Sequence, residues 1–322
     1  MKLHIPMNIL LYVRFKLGNT MPVRNLGYAC QNLTINDNKT KNEKVLTDRT
    51  CRLANFNLDV ASELIKRNTK DLISIMKWNS ENSVKFFRVS SNLFPFYDHT
   101  EIGYKIEQLK DKEEIIENMR LAGALAKTYG IRLSCHPGPY TCLASKDPDV
   151  CSKSIKSVEM HYEIGQMLGS ENFCINFHIG GAYLDKIETA KRFCKNFMSL
   201  DSSVRDQVTI ENDDKPGMWS VTELYEKIYS ECGVKLVLDV HHHKFRNDES
   251  IEQAASLCFS TWQKETPKIH YSESAEGKMP QAHSDFIEFR IPNVSESVYY
   301  DVMIEAKAKD KALIKNRSTY VY

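Results

Sequence analysis

At 322 residues the chain is long enough for one large α/β barrel or for two average domains. With 42% hydrophobic and 26% charged residues and a formal net charge of +1, it lacks the global basic field of many nucleic-acid binders; any DNA contact has to come from a local patch or from bound metal. Its nine scattered cysteines are odd in number and form no C-x-x-C pair, which argues against a disulfide framework or a thiolate zinc site and for a reducing intracellular compartment, cytoplasm or nucleus, without secretion.

Residues 1–24 are basic, and the first acidic residue is Asp37. A targeting presequence and a poorly ordered or alternatively started extension both fit; Met21, just before the first good strand, favours the extension. No segment is long enough to span a bilayer, so no membrane partner is expected. Leu26–Thr34 is predicted as the first strand, 36–49 as a loop and Leu58–Asn82 as a helix with Leu64, Ile65, Leu72, Ile75 and Met76 at helical spacing. Val84–Ser91 is the second strand. The helix Glu113–Tyr129 is closed by Gly130, and the strand Ile131–Cys135 runs into His136-Pro137-Gly138. The alternation continues through the helix Asp149–Leu168, the strand Phe173–Phe177, the helix Asp185–Met198, the strand Gln207–Ile210 and the helix Val221–Glu231. Val234–Val240 has the β-branched and leucine pattern of a strand buried on both faces, and it is followed by His241, His242 and His243. The helix Glu249–Trp262, strands Lys268–Ser272 and Tyr300–Ile304 and a short helix near 307–315 complete the chain; 276–297 reads mostly as loop.

This βα alternation predicts a (β/α)8 barrel. An open doubly wound sheet is the runner-up, but no G-x-G-x-x-G opens a first helix. One domain is expected over residues 25–316, with 317–322 as a tail, in a monomer.

His99, His136, His178, Glu211, Asp239, His242, His270, His283 and Glu305 all fall at, or in the loops after, strand C-terminal ends, the face that carries the active site in such barrels. A lone histidine at a strand end is more often structural; ends supplied by many separate strands are harder to dismiss. Of the ten histidines only His4 and His161 lie clearly off this face. Histidine and carboxylate without cysteine favours Mn2+, Zn2+, Fe2+ or Mg2+. So many ligands exceed one ion and suit two or three, the arrangement that fits in-line displacement at phosphorus. His241 and His243 are either second-layer or packing residues, because strand alternation sets them opposite His242. Asn212, Asp213 and Asp214 either orient ligands or only end the strand.

Several motifs together resemble the UV damage endonuclease family in order and spacing: Gly27–Thr34 (G-Y-A-C-Q-N-L-T), Phe87–Pro95 (F-R-V-S-S-N-L-F-P), His136-Pro137-Gly138, His178–Gly181, Glu211-Asn212-Asp213, Asp239–His242, Pro267–His270, Ala282-His283 and Glu305-Ala306-Lys307. The resemblance covers about Leu26 to Lys311. It implies a TIM barrel related to AP endonucleases and sugar isomerases. It also implies incision of double-stranded DNA immediately 5′ to cyclobutane pyrimidine dimers, 6-4 photoproducts and abasic sites, leaving a 3′-hydroxyl. The family metal is typically Mn2+, in a cluster of up to three, with Zn2+, Mg2+ or Co2+ as alternatives. The nine positions above match its ligands. Glu211 and His242 are expected to be catalytic, together with Lys268, which matches a lysine that can be carboxylated on its amine; an ordinary solvated or phosphate-contacting lysine is the alternative.

Tyr28, Asn32, Pro139 and Tyr140 match DNA- and lesion-contacting positions. The tyrosines could instead be rim packing, and Asn32 a strand-end hydrogen bond. The family carries Gln after His-Pro-Gly, whereas Pro139 stands here. Proline has no amide to replace a displaced base pair but could act as an apolar wedge. A sugar isomerase or epimerase on the same barrel, and a damage-binding module with an idle site, are the competing functions.

Overall fold

The computed structural model describes residues 23–288 and 294–317; the expected N-terminal extension, apart from Val23 and Arg24, and the end of the C-terminal tail lie outside the described residues. Eight strands close into one barrel in sequence order: β1 Val23–Ala29, β2 Phe86–Val89, β3 Arg132–Cys135, β4 Cys174–His178, β5 Val208–Glu211, β6 Lys235–Asp239, β7 Lys268–Tyr271 and β8 Tyr300–Ile304. Every neighbouring pair is parallel. The runner-up open sheet is thereby excluded, and the expected (β/α)8 TIM barrel is the fold. No helix among the described residues is long and apolar enough to cross a membrane.

A strand in a closed barrel sends alternate side chains in and out. The outward set, including Leu26, Tyr28, Phe87, Val89, Leu133, Ile175, Phe177, Ile210, Leu238, Ile269 and Val302, joins the main apolar core under the helices. The inward set is apolar in patches, with Ala29, Phe86 and Met303 packed together, and polar elsewhere. At the N-terminal mouth Asp301 accepts from Asn25 Nδ2 at 2.7 Å and from Arg132 Nη1 at 2.9 Å. Higher up, Thr209 Oγ1 donates to Asn176 Oδ1 at 2.7 Å. At the C-terminal mouth the same inward parity delivers imidazoles and carboxylates. His178 is in register with Glu211, and Asp239 with His270, and both pairs face this mouth.

Outside the strands, α1 (Leu58–Glu81) is capped by the Asn57 side chain, which accepts from Val60 N–H. It packs on α2 (Lys112–Thr128). Next comes α3 (Pro148–Met167), with Asp147 as its cap and Pro148 in its first turn. A side chain at Gly123 of α2 would put its Cβ 1.7 Å from the Leu168 carbonyl oxygen at the end of α3. We therefore expect Gly123→Ala to force the helices apart and cost about 2 kcal/mol or more, measured as a lower urea midpoint at an unchanged denaturant slope. The helix α4 (Lys186–Met198) is capped by Asp185. The helix expected over Val221–Glu231 is present but uneven: Val221–Leu224 passes through a π-helical turn, Tyr225–Tyr229, into Ser230–Cys232.

The first strand differs from expectation. It ends at Ala29, not Thr34, because Cys30 takes a positive φ of 68° and turns the chain. The backbone N–H groups of Leu33 and Thr34 then donate to Asp310, at 2.6 and 3.0 Å.

Candidate metal centre

Glu211, at the end of β5, is the hub of the C-terminal mouth. Its Oε1 lies 2.7 Å from His136 Nε2 and 2.9 Å from His178 Nε2. Its Oε2 lies 2.5 Å from His270 Nδ1. The other ligands expected from the sequence close a circuit around it. The His136–His178, His178–His242 and His242–His283 ring centroids are 5.8, 5.4 and 6.3 Å apart. His283 Nδ1 is 3.8 Å from Glu305, Glu305 is 3.1 Å from His270 Nδ1, and the rings of His270 and His136 are 6.5 Å apart. Asp239 Oδ2 stands 3.7 Å from His242 Nδ1 and 4.0 Å from His270 Nδ1. Among the described residues, two triads have ligand atoms close enough to hold an ion, His136-His178-Glu211 and Glu211-Asp239-His270, and Glu211 belongs to both. A carboxylate turning one oxygen to each of two triads is suited to bridge two ions.

The tautomers agree. A carbonyl oxygen can only accept a hydrogen bond. His136 Nδ1 lies 3.0 Å from the Pro137 carbonyl, His242 Nδ1 2.9 Å from that of Asn212, and His283 Nδ1 3.0 Å from that of Glu305. Each therefore carries its proton on Nδ1 and turns the lone pair of Nε2 away from the backbone. His178 Nδ1 faces Asp213 Oδ1 at 3.2 Å, an ion-pair contact that favours a proton on the same nitrogen. This is the outer-layer support that metal-ligating histidines use. It leaves lone pairs of His136 and His178 facing carboxylate oxygens at under 3 Å, which requires a cation between them, either protons or metal. Ligands at right angles on an ion with ~2.1 Å bonds are themselves about 3 Å apart. The residues fit divalent metal.

The charge balance says the same. Burial alone raises the Glu211 carboxyl, but His178, His270 and His136 outweigh it and hold the group well below the usual carboxylate range. Burial alone lowers His178, but Glu211 and Asp213 more than offset this and raise it well above an ordinary histidine. Arg88, not singled out as a site residue from the sequence, ion-pairs with Glu305 and places Nη2 3.1 Å from His270 Nε2. Its signal was present: an arginine at an inward position of a strand that is otherwise aromatic and β-branched.

The triple-histidine stretch is not the end of a strand. Asp239 accepts from His242 N–H at 2.9 Å and caps a helical turn, Val240–His243. Of the three, His242 turns its Nε2 away from the backbone; His241 packs its ring 5.2 Å from that of His283 but spends Nε2 on a carbonyl. His241 Nε2 meets the Gln281 carbonyl at 3.2 Å, and His243 Nε2 faces Glu249 at 3.4 Å. Asn212 clamps the backbone of Asp239, accepting from its N–H at 2.8 Å and donating to its carbonyl at 3.0 Å. His99 stands outside the circuit. Its Nδ1 accepts from the N–H groups of Glu101 and Ile102 at 3.2 and 3.4 Å, on the wall of a groove of about 580 Å3 that also includes Gly138, Tyr140 and the buried His161.

Of the expected DNA-contacting residues, Pro139 and Tyr140 are exposed at the rim, Tyr140 at 90%. Tyr28 and Asn32 are not; both are wholly buried. Tyr28 has the outward parity of β1, so its ring packs on Trp78 and Phe87 beneath α1. Its hydroxyl donates to Asn79 Oδ1 at 2.6 Å and accepts from Asn32 Nδ2 at 2.8 Å. A ring so placed presents no surface to a duplex. Tyr28→Phe is expected to destabilise the fold by about 1–3 kcal/mol by stranding two buried amides, while activity per folded molecule stays unchanged; denaturation curves and active-site titration check this. Lys268 points into the barrel one inward position below His270. It is buried, and its Nζ has no hydrogen-bond partner among the described residues. Burial lowers its pKa.

An eight-stranded parallel barrel whose C-terminal mouth gathers imidazoles and carboxylates from separate strands defines a class: a TIM barrel with a cluster that could hold metal. The sequence profile of the UV-endonuclease UvdE family matches residues 24–318, and the chain belongs to that family. A UV-damage endonuclease from Schizosaccharomyces pombe is 36% identical over 312 residues, covering 90% of this chain and 49% of the relative, so the chain spans about half of that protein's length. A UV DNA damage endonuclease from Clostridium perfringens is 32% identical over 304 residues, covering 90% of this chain and 69% of the relative. The solved structure of SacUVDE superposes with a TM-score of 0.79 at 29% identity, covering 92% of this chain and 98% of that one.

Proposed function

We propose that the protein is a divalent-metal-dependent DNA repair endonuclease that cuts the phosphodiester bond 5′ to UV photoproducts, and at abasic sites, leaving a 3′-hydroxyl. The observation that carries this reading is the shared position of Glu211 in two ligand triads at the open mouth of the barrel. Family membership supports DNA as the substrate. His136, His178, Glu211, Asp239, His242, His270, His283 and Glu305 would hold two or three divalent ions, with Mn2+ first in line, and His99 is the ligand expected from the sequence that lies apart from them. When bound, such ions polarise the phosphodiester and stabilise charge on attacking and leaving oxygens.

The chain's own residues do the rest. Asp213 and the backbone carbonyls keep the histidines in the ligating tautomer. Arg88 compensates part of the negative charge of Glu305 and keeps His270 in place. Pro139 and Tyr140 stand where a duplex approaching the mouth meets them first. The nine cysteines are free, in keeping with action in a reducing compartment, on nuclear or cytoplasmic DNA.

Lys268 is proposed to carry carbon dioxide. The lowered pKa raises the share of neutral amine, whose lone pair would attack the carbon of CO2; a proton would leave the nitrogen and an anion would form below His270. The intact protein, sprayed under native conditions, is expected to carry the added mass of one carbon dioxide that Lys268→Met lacks; equal masses relative to sequence would refute the modification.

The test of the whole reading is a duplex with one central cyclobutane dimer, incubated with Mn2+. A single nick immediately 5′ to the lesion, extendable by a polymerase, is expected. An intact duplex under conditions where a known repair nuclease cuts would end the proposal.

A further inference from the structure

The loop after β4 runs along the rim of the metal centre from His178 to α4. A Cβ at Gly180, where φ is +93°, would sit 2.5 Å from Cys142 Sγ, so this loop is pressed onto the loop that carries Pro139 and Tyr140. The chain then makes a tight turn in which Asp185 N–H donates to the Ala182 carbonyl at 3.0 Å. Both central residues, Tyr183 and Leu184, have positive φ, 48° and 64°. Turns with positive φ at both central positions are dominated by glycine, asparagine and aspartate.

The two residues differ in what holds them. The Tyr183 ring is pinned by Lys146 Nζ at 5.4 Å and the Arg192 guanidinium at 5.6 Å. Thr189 Oγ1 donates to the Ala182 carbonyl at 2.9 Å, and Asp185 caps α4, so the turn is tied to the helix that follows it. Leu184 is 108% exposed, and Ile187, one helical turn on, is 62% exposed. A leucine here costs free energy twice, in a left-handed backbone and in hydrated apolar surface. An outlier of this kind at a site rim points to use rather than to folding.

We propose that Leu184 is an apolar wedge that enters the damaged duplex from the β4 loop, beside Tyr140 from the β3 loop, and holds open the step vacated when the lesion leaves the stack. The inference rests on the DNA-incision reading. Apolar side chains unstack base steps in this way, and unstacking costs least at damaged pairs. Lys146 and Arg192 put positive charge at the root of the turn, the sign a phosphate backbone requires. Pro139 offers no amide, so this rim meets the bases with apolar surface on both loops.

Leu184→Gly and Leu184→Ala are compared with wild type on two duplexes, one with a paired cyclobutane dimer and one with the dimer in a mismatched bubble. Leu184→Gly relieves the backbone, so its thermal midpoint is expected to stay or rise. Its KM on the paired dimer is expected to rise about tenfold or more, with recovery to near the wild-type value on the bubble, where the stack is already open. Leu184→Phe is expected to restore the paired substrate. Cutting of the paired dimer within about twofold of wild type by Leu184→Gly, or an equal loss on both duplexes, overturns the wedge while leaving incision intact. Wild-type protein that cuts neither duplex overturns the incision reading and the wedge with it.

Discussion

Glu211→Gln is expected to lower the incision rate by about a thousandfold or more, roughly 4 kcal/mol of activation free energy. Glutamine matches the shape of glutamate, so packing at the top of β5 survives. It offers one neutral oxygen and an amide nitrogen that cannot ligate. The oxygen that faces His136 and His178, or the one that faces His270, is therefore lost as a ligand, and with it the bridge between the two triads. The substitution also removes the anion that helps hold His178 well above an ordinary histidine. Bound metal per molecule, measured on the purified protein, should fall along with the nicking rate. Asp213→Asn is a useful contrast: it weakens the orientation of His178 without deleting a ligand, and a loss of about 10–100-fold is the usual scale for such outer-layer partners. Glu211→Gln with unimpaired nicking would separate the centre from the chemistry.

The barrel could be read from the chain because each βα unit announces itself locally. Apolar runs alternate with helical spacing, and Gly130 and Gly169 close helices at positive φ. The last strand, Tyr300–Ile304, lies at the predicted residues. The candidate centre was legible in part for a related reason: inward parity and C-terminal position can be counted from a strand's end for His136, His178, Glu211, Asp239, His270 and Glu305, whereas His242 arrives on a helical turn and His283 on the loop before β8. What could not be read depends on distant partners. β1 stops at Ala29 partly because Asp310, near the other end of the chain, receives the amides of Leu33 and Thr34. Tyr28 was expected at the rim, but its register turns it outward under α1. The order of roles among His241, His242 and His243 comes from a helical turn capped by Asp239, where a continuing strand would give the same grouping for a different reason. Lys268 shows the limit most plainly, since only the closed barrel reveals that its amine is buried without a partner.

Adding Mn2+ to metal-free protein is expected to raise the thermal midpoint substantially. Glu211, Asp239 and Glu305 bring three carboxylates into the mouth, with Arg88 and imidazolium protons to balance them. Each ion at a hundredfold excess over its dissociation constant contributes about 2.7 kcal/mol. Two ions correspond to a shift of about 8 °C in a chain of this size. The effect has a pH sign. His178 is raised in the folded state, so the stability its proton supplies is fully present below the ordinary histidine pKa and is lost as pH rises through the folded value. Metal takes the place of that proton, so the Mn2+-induced shift should be smaller near pH ~6 and grow toward pH ~9. Glu211→Gln should lose more than half of the shift, whereas Leu184→Gly, on the rim, should keep all of it. Scanning calorimetry of chelator-treated protein with and without Mn2+ reads these outcomes. A midpoint that ignores Mn2+ at every pH would mean that the imidazoles and carboxylates around Glu211 are balanced by protons alone, and the ligand circuit would then have to be reread as a buried hydrogen-bond network.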